Sequence, residues 1–258
     1  MERFQSFSST KIQYPHVHLC FDDHSVAAWY SARGVLMDKR VKAVFYVDSF
    51  DELDEDDIHQ LRLLRADGHV IGCHSMTHVD AVEYSQKHSV EAYIENEVIP
   101  AMESMTEAGF APTHFAFPYS SFDEPLHEAV SKLFCHVRLR PGNDTHYSSS
   151  KQMFDHSNLL RGQHTKTYEH RIRSGDMPNV VAEMTDRLKT GHGINLVFHA
   201  VHRLGLPKSE GSHADDNGFV TVEELSQILN AVLTSGAVFE TFAEQCKTDK
   251  DSLTPSSL

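Results

Sequence analysis

Two adjacent carboxylates, Asp22 and Asp23, close an apolar run at residues 17–21. Two imidazoles, His74 and His78, follow another such run at 69–73, and a further imidazole, His199, follows a third at 194–198. Neighbouring aspartates at the end of a hydrophobic strand are costly unless paired, because burying an unpaired carboxylate is unfavourable and two together repel. A divalent cation resolves that cost by ligating one carboxylate and leaving the other as a base beside a bound water. His74 and His78 are spaced i, i+4, which on a helical turn places both rings on one face. Two imidazoles and one carboxylate form a three-ligand set with room for water, the pattern of a catalytic rather than a structural zinc site. With 19 histidines among 258 residues, an i, i+4 pair alone means little. Its position after a strand, matched by a carboxylate doublet after another strand, gives it weight.

The elements that must bring these groups together are short. Apolar runs at 17–21, 42–47, 69–73, 114–117, 134–139, 158–160, 194–198 and 237–239 read as strands. Helical periods fall between them near 25–38, 54–66, 86–108, 124–133, 177–190 and 221–234. Thr221 followed by Glu224 forms a capping box for the last helix, and Gly236 stops it. The acidic run at 51–57 reads as the cap and first turn of a solvated helix, where carboxylates suit the dipole. This alternation predicts one α/β domain spanning 1–258, with a parallel sheet as either a barrel or an open doubly wound sheet. No glycine-rich nucleotide loop follows any strand. Reactive groups in such folds gather at the C-terminal strand ends, where the five residues above stand.

Composition narrows the partners. Lysine and arginine total 23 against 37 acidic residues, a formal charge of −14 that disfavours nucleic acid and anionic membrane surfaces. No apolar stretch reaches the roughly 20 residues of a transmembrane helix, and the first residues lack a signal-peptide core. The expectation is a cytoplasmic protein, or a secreted one where a leader has been removed. The composition sets no oligomeric state. Cys20, Cys73, Cys135 and Cys246 lie far apart and read as reduced, mostly buried thiols.

Taken in order, Leu19-Cys20-Phe21-Asp22-Asp23, the stretch Gly68 to His78, Phe115-Ala116-Phe117-Pro118-Tyr119 and Ile194 to His199 resemble the polysaccharide deacetylase family, carbohydrate esterase family four. The resemblance covers about residues 14–245. It implies a distorted (β/α) barrel of about seven parallel strands and metal-dependent removal of acetyl groups from N-acetylated sugars. By position it makes Asp22 the general base, Asp23, His74 and His78 the metal ligands, His199 the general acid, and the backbone N–H of Tyr119 an oxyanion donor. Zinc is the expected cation for this donor set, with cobalt, manganese, nickel or iron as substitutes. The expected partner is a carbohydrate or small amide substrate.

The chain departs from the family pattern at three places. His24 stands where a glycine usually ends the first motif, and Ala116 stands where an arginine usually pairs with the base. Arg161, after the run at 158–160, is the sequence candidate for a replacement guanidinium. The family's Asp-Trp motif has no counterpart, since the single tryptophan, Trp29, falls in the first helix. His18 reads as a hydrogen-bonded core histidine, His202 as a rim or loop group, and Phe117 and Tyr119 as a wall for a sugar ring. Two other activities fit the fold: a cytosolic amidohydrolase opening cyclic imides or ureides such as allantoin, and a non-catalytic carbohydrate-binding relative.

Overall fold

The structure is a computed structural model describing residues 14–139, 166–168, 177–202 and 219–243. Its elements run β1 (His16–Asp23), α1 (Val26–Ser31), α2 (Arg33–Asp38), β2 (Val44–Val47), α3 (Glu55–Ala66), β3 (Val70–Cys73), α4 (Ala81–Lys87), α5 (Val90–Tyr93), α6 (Ile99–Glu107), β4 (His114–Ala116) and α7 (Glu124–Ser131). There follow β5 (His136–Arg138), β6 (Lys166–Tyr168), α8 (Met177–Lys189), β7 (Ile194–Phe198), β8 (Ala200–His202), β9 (Phe219–Thr221), α9 (Val222–Thr234) and β10 (Val238–Phe239). The strands pair in the order β5-β4-β3-β2-β1-β7-β6, every pair parallel, and β10 adds to the start of β1.

This sheet is curled. In a flat sheet β5 would lie four strand spacings, roughly 19 Å, from β1. Instead the rings of His18 on β1 and His136 on β5 have centroids 5.3 Å apart, and Arg138 reaches Asp22 at 2.6 Å. The fold is therefore the expected distorted barrel with about seven parallel strands. Alternate residues of each strand divide between its two faces. Val17, Leu19, Phe21, Phe45, Val47, Phe115 and Leu196 join the helices in the main core, while Cys20, Val44, Tyr46, Ala116 and Val197 pack inside the curl. Gly72 belongs to the inner set: a Cβ there would sit 2.8 Å from the Tyr46 ring, so the phenol occupies space that β3 must leave empty.

The floor of the curl is polar and is closed by the segment after β10. His18 Nδ1 donates to the Glu240 carbonyl at 3.0 Å, and His114 Nε2 donates to the Thr241 carbonyl at 2.6 Å. Phe242 stacks on His136, with centroids 4.8 Å apart. His18 is thus the hydrogen-bonded core histidine expected, and Tyr46 O–H supplies its other partner at 3.3 Å.

Helix boundaries follow their caps. Asp54 accepts the Asp57 N–H at the start of α3, whose first turn carries Glu55, Asp56 and Asp57, and the Thr221–Glu224 box caps α9. The single helix expected at 86–108 is divided instead. A helix already begins at Ala81, and a wide turn at Ile94–Val98 separates α5 from α6, whose first turn contains Pro100 without an N–H to donate. The strand β6 and the small β8–β9 pair were not anticipated, and the run at 158–160 lies outside the described residues. Cys20 and Cys73 are free and buried, but Cys135 is disulfide-bonded, which corrects the reading of four reduced thiols. Among the described residues no helix is long and apolar enough to cross a membrane.

Candidate active site

The C-terminal ends of β1, β2 and β3 lie side by side, with Asp23 in register with Val47 and Val47 with Cys73. On an uninterrupted strand Asp22 and Asp23 would point to opposite faces. Asp23 ends β1 with φ at +82°, and this left-handed step turns its carboxylate toward the same space as Asp22. His74 follows β3 directly. The i, i+4 spacing does not lie on a helical turn, as sequence suggested: Ser75 and His78 have φ of +71° and +55°, so the two rings meet across an irregular loop with centroids 5.1 Å apart. Buried Glu97, from the wide turn before α6, holds that loop by accepting the Thr77 N–H at 2.9 Å and hydroxyl at 2.7 Å. Strain of this kind persists only where the surroundings over-determine it, and it clusters at functional sites.

Asp23 Oδ1 lies 3.3 Å from His78 Nε2 and 3.9 Å from His74 Nε2. One ligand atom from each of the three residues falls within 4.8 Å of the others. His74 Nδ1 donates to the Ala116 carbonyl at 2.8 Å, which leaves Nε2 as the lone-pair nitrogen facing Asp23. Burial lowers the His74 pKa, so its ring is held neutral, the state that binds metal. Burial pushes the Asp23 carboxyl up, but the His78 hydrogen bond and the nearby His199 and His74 rings outweigh it and hold the group ionised. Two imidazole nitrogens and an anionic oxygen, converging from three backbone positions, fit a divalent cation.

Asp22 stands beside this cluster, 4% exposed. Arg138 grips it with two hydrogen bonds, Nη1 to Oδ1 and Nη2 to Oδ2, both 2.6 Å. Burial alone would raise the Asp22 pKa, but Arg138, helped by His74, keeps it below the usual carboxylate range. The guanidinium lies over the Tyr46 ring at 5.0 Å and donates to Cys20 Sγ at 3.3 Å. Arg161, the sequence candidate for this contact, lies outside the described residues. Ala116 on β4 is in register with Arg138 on β5, so the guanidinium missing from one strand is supplied by the next.

His199 follows β7 as expected, and its ring is close enough to lower the pKa of both Asp22 and Asp23. Its backbone carbonyl accepts the indole N–H of Trp29 at 2.6 Å, so the single tryptophan anchors this residue from α1. Tyr119 sits in a left-handed turn, φ +55°, with its ring edge against His78. Phe117, expected to line a sugar wall, is buried in the core instead. His24, in the usual glycine position, pairs with buried Asp48 through Nδ1 at 2.6 Å. His202 ends β8.

Residues 11–137 match the sequence model of the polysaccharide deacetylase family. That segment contains Asp22, Asp23, His74, His78 and Tyr119, and ends one residue before Arg138. No curated protein sequence matches the chain. Among solved structures, the fold is similar to the chitin deacetylase of the fungal pathogen Colletotrichum lindemuthianum, at 20% identity, TM-score 0.57, covering 91% of this chain and 88% of that one. It is also similar to the Xyl-CE4 domain of a multidomain xylanase from the hindgut metagenome of Trinervitermes trinervoides, at 15% identity, TM-score 0.55, covering 95% and 94%. The peptidoglycan deacetylase PdaC from Bacillus subtilis gives 15% identity, TM-score 0.53, covering 93% and 94%.

Proposed function

Through residues 11–137 the chain belongs to the polysaccharide deacetylase family, and from that premise we propose that it is a metal-dependent hydrolase removing N-acetyl groups from an acetamido sugar in an oligo- or polysaccharide. The observation that carries this reading is the meeting of Asp23, His74 and His78 within 4.8 Å, beside an Asp22 that Arg138 keeps ionised. Zinc is the cation this donor set suits best, and bound there it supplies Lewis acidity and a more acidic water.

The side chains account for the proton movements. Hydrolysis of the amide needs a base for the attacking water and an acid for the leaving nitrogen. Asp22 is the base, with its orientation set by the two-pronged Arg138 contact. His199, anchored through its carbonyl by Trp29, is the acid that protonates the departing amine. The Tyr119 backbone N–H is assigned to the developing oxyanion. Asp22 and His199 together distinguish an enzyme from a carbohydrate-binding relative, since binding a sugar requires neither a base nor an acid.

The test joins metal analysis of the purified protein with acetate release from an acetamido monosaccharide, a chitooligosaccharide and a cyclic ureide. Asp22→Asn is expected to keep its metal and lose at least about 100-fold in kcat, whereas His74→Ala loses the metal as well. Ring opening without acetate release, or an Asn variant of unchanged activity, would overturn the proposal.

A further inference from the structure

Beyond His78 the chain forms a cleft of about 540 Å³, walled by Val79, Asp80, Glu83, Tyr84, Lys87 and Tyr119. That volume lies within the roughly 300–1,000 Å³ of ordinary ligand sites. The cleft shares His78 with the candidate metal cluster, and the Tyr119 ring meets His78 edge to face at 4.7 Å. Its two walls are tied together. Asp80 Oδ1 accepts the Glu83 N–H at 2.9 Å, capping α4, and also the Ser121 hydroxyl at 2.8 Å from the turn that carries Tyr119. That turn places two successive non-glycine residues, Tyr119 and Ser120, at φ of +55° and +54°. The strain holds a phenol ring 68% exposed at the mouth of the cleft. A large aromatic displayed in this way offers a flat apolar face with a polar tip, which suits the apolar face of a pyranose.

Charge selects among sugars. On the cleft wall beyond His78, the Asp80 and Glu83 carboxylates outnumber the Lys87 ammonium, on a chain carrying −14. Glu83 and Lys87 are exposed and stand 3.6 Å apart at i, i+4, a contact weak enough for Glu83 to change partners. A sugar bearing a carboxylate is disfavoured here, and one bearing an ammonium is attracted.

We propose that this cleft holds the sugar unit adjoining the one being deacetylated, and that it prefers that unit as the free amine, with its ring on Tyr119 and its ammonium facing Glu83. The proposal rests on the deacetylase reading above. Hydrolysis adds water across the acetyl C–N bond, releasing acetate and an amine that takes up a proton near neutral pH. Each turnover thus creates the unit that the cleft binds, and action on one unit favours action on its neighbour.

The experiment uses the metal-loaded full chain and two acetamido-sugar tetrasaccharides, one fully acetylated and one with a single free amine. Wild type is expected to show a KM about three-fold lower for the amine-bearing substrate. Glu83→Gln should abolish that difference and Lys87→Gln should enlarge it. Equal KM values in wild type, or a preference that survives Glu83→Gln, overturn the cleft assignment while acetate release leaves the deacetylase reading intact. If no substrate releases acetate, that reading fails and calorimetric titration with the fully deacetylated tetrasaccharide decides the cleft alone. Binding weakened by Glu83→Gln upholds it, and equal binding overturns it.

Discussion

Lowering the pH from 7.5 to 5 should destabilise this fold through three buried histidines outside the Asp23, His74 and His78 cluster. Burial lowers the pKa of His18 from 6.5 to about 3, and those of His69 and His114 to about 4. Each ring also has a nitrogen committed as an acceptor. Tyr46 O–H faces His18 Nε2, the Ala43 N–H faces His69 Nδ1 at 3.0 Å, and the Thr113 hydroxyl faces His114 Nδ1 at 2.9 Å. A proton on His69 Nδ1 would set donor against donor, because the Ala43 N–H can only donate, and protons on the other two would force the Tyr46 and Thr113 hydroxyls to give up donating. The folded values lie below the unfolded one, so between them the unfolded chain binds more protons. Stability is therefore complete above about pH 7, begins to fall near 6.5, and continues falling until the folded pKa values are reached. At pH 5 each ring costs about 2 kcal/mol and the three together about 6 kcal/mol, a large share of the 5–15 kcal/mol typical of a domain. Urea unfolding with metal chelated, followed by the fluorescence of buried Trp29, measures this directly. His69→Gln and His114→Gln should each remove about 1.2 kcal/mol per pH unit from the slope between pH 4.5 and 5.5. Slopes identical to wild type in both variants would refute the reasoning.

Two further predictions concern the inner face of the sheet. Arg138→Ala leaves the buried Asp22 carboxylate uncompensated, with an expected loss of about 3–5 kcal/mol. Arg138→Lys, which keeps the charge without the fork, should fold better yet shift the acid limb of the pH–rate profile upward, because Asp22 loses part of what holds its pKa down; an unmoved profile would argue against Arg138 as the group that sets the base. Gly72→Ala drives a methyl into the Tyr46 ring and should cost about 1–3 kcal/mol in denaturant unfolding, a loss that Tyr46→Leu in the same chain should largely relieve.

Most of the strand framework and the candidate Asp23, His74 and His78 cluster were legible because their signals are local. Apolar runs mark β1, β2, β3 and β7, and the residue after each run falls at the reactive end of the sheet. The geometry within the triad was not legible. Spacing suggested a helical turn for His74 and His78, but buried Glu97, about 20 residues onward, holds the intervening Thr77 in a loop. Arg138 was missed because a guanidinium inside a strand gives no local sign of its partner 116 residues earlier. The available signal was the pattern of β5 itself, where His136 and Arg138 flank Val137 and put two polar groups on one strand face. Trp29 escaped for a similar reason: its helix period explains the residue's burial, and nothing in the spacing shows the indole reaching a carbonyl 170 positions away. Tyr119 and Phe117 were grouped as one wall, yet the left-handed turn separates them, sending the first to solvent and the second to the core.

The pairing of His16 and Val17 with Val238 and Phe239 has a bearing on biosynthesis. β1 takes β2 from close by in the sequence but β7 and β10 from far downstream, and the stopper beneath it, at Glu240 to Phe242, lies later still. Loop-closure entropy must be met before such distant contacts give any return. A nascent chain halted before residue 240 would therefore carry an assembled β1–β2–β3 edge with its underside open to water, a species prone to stick to others of its kind.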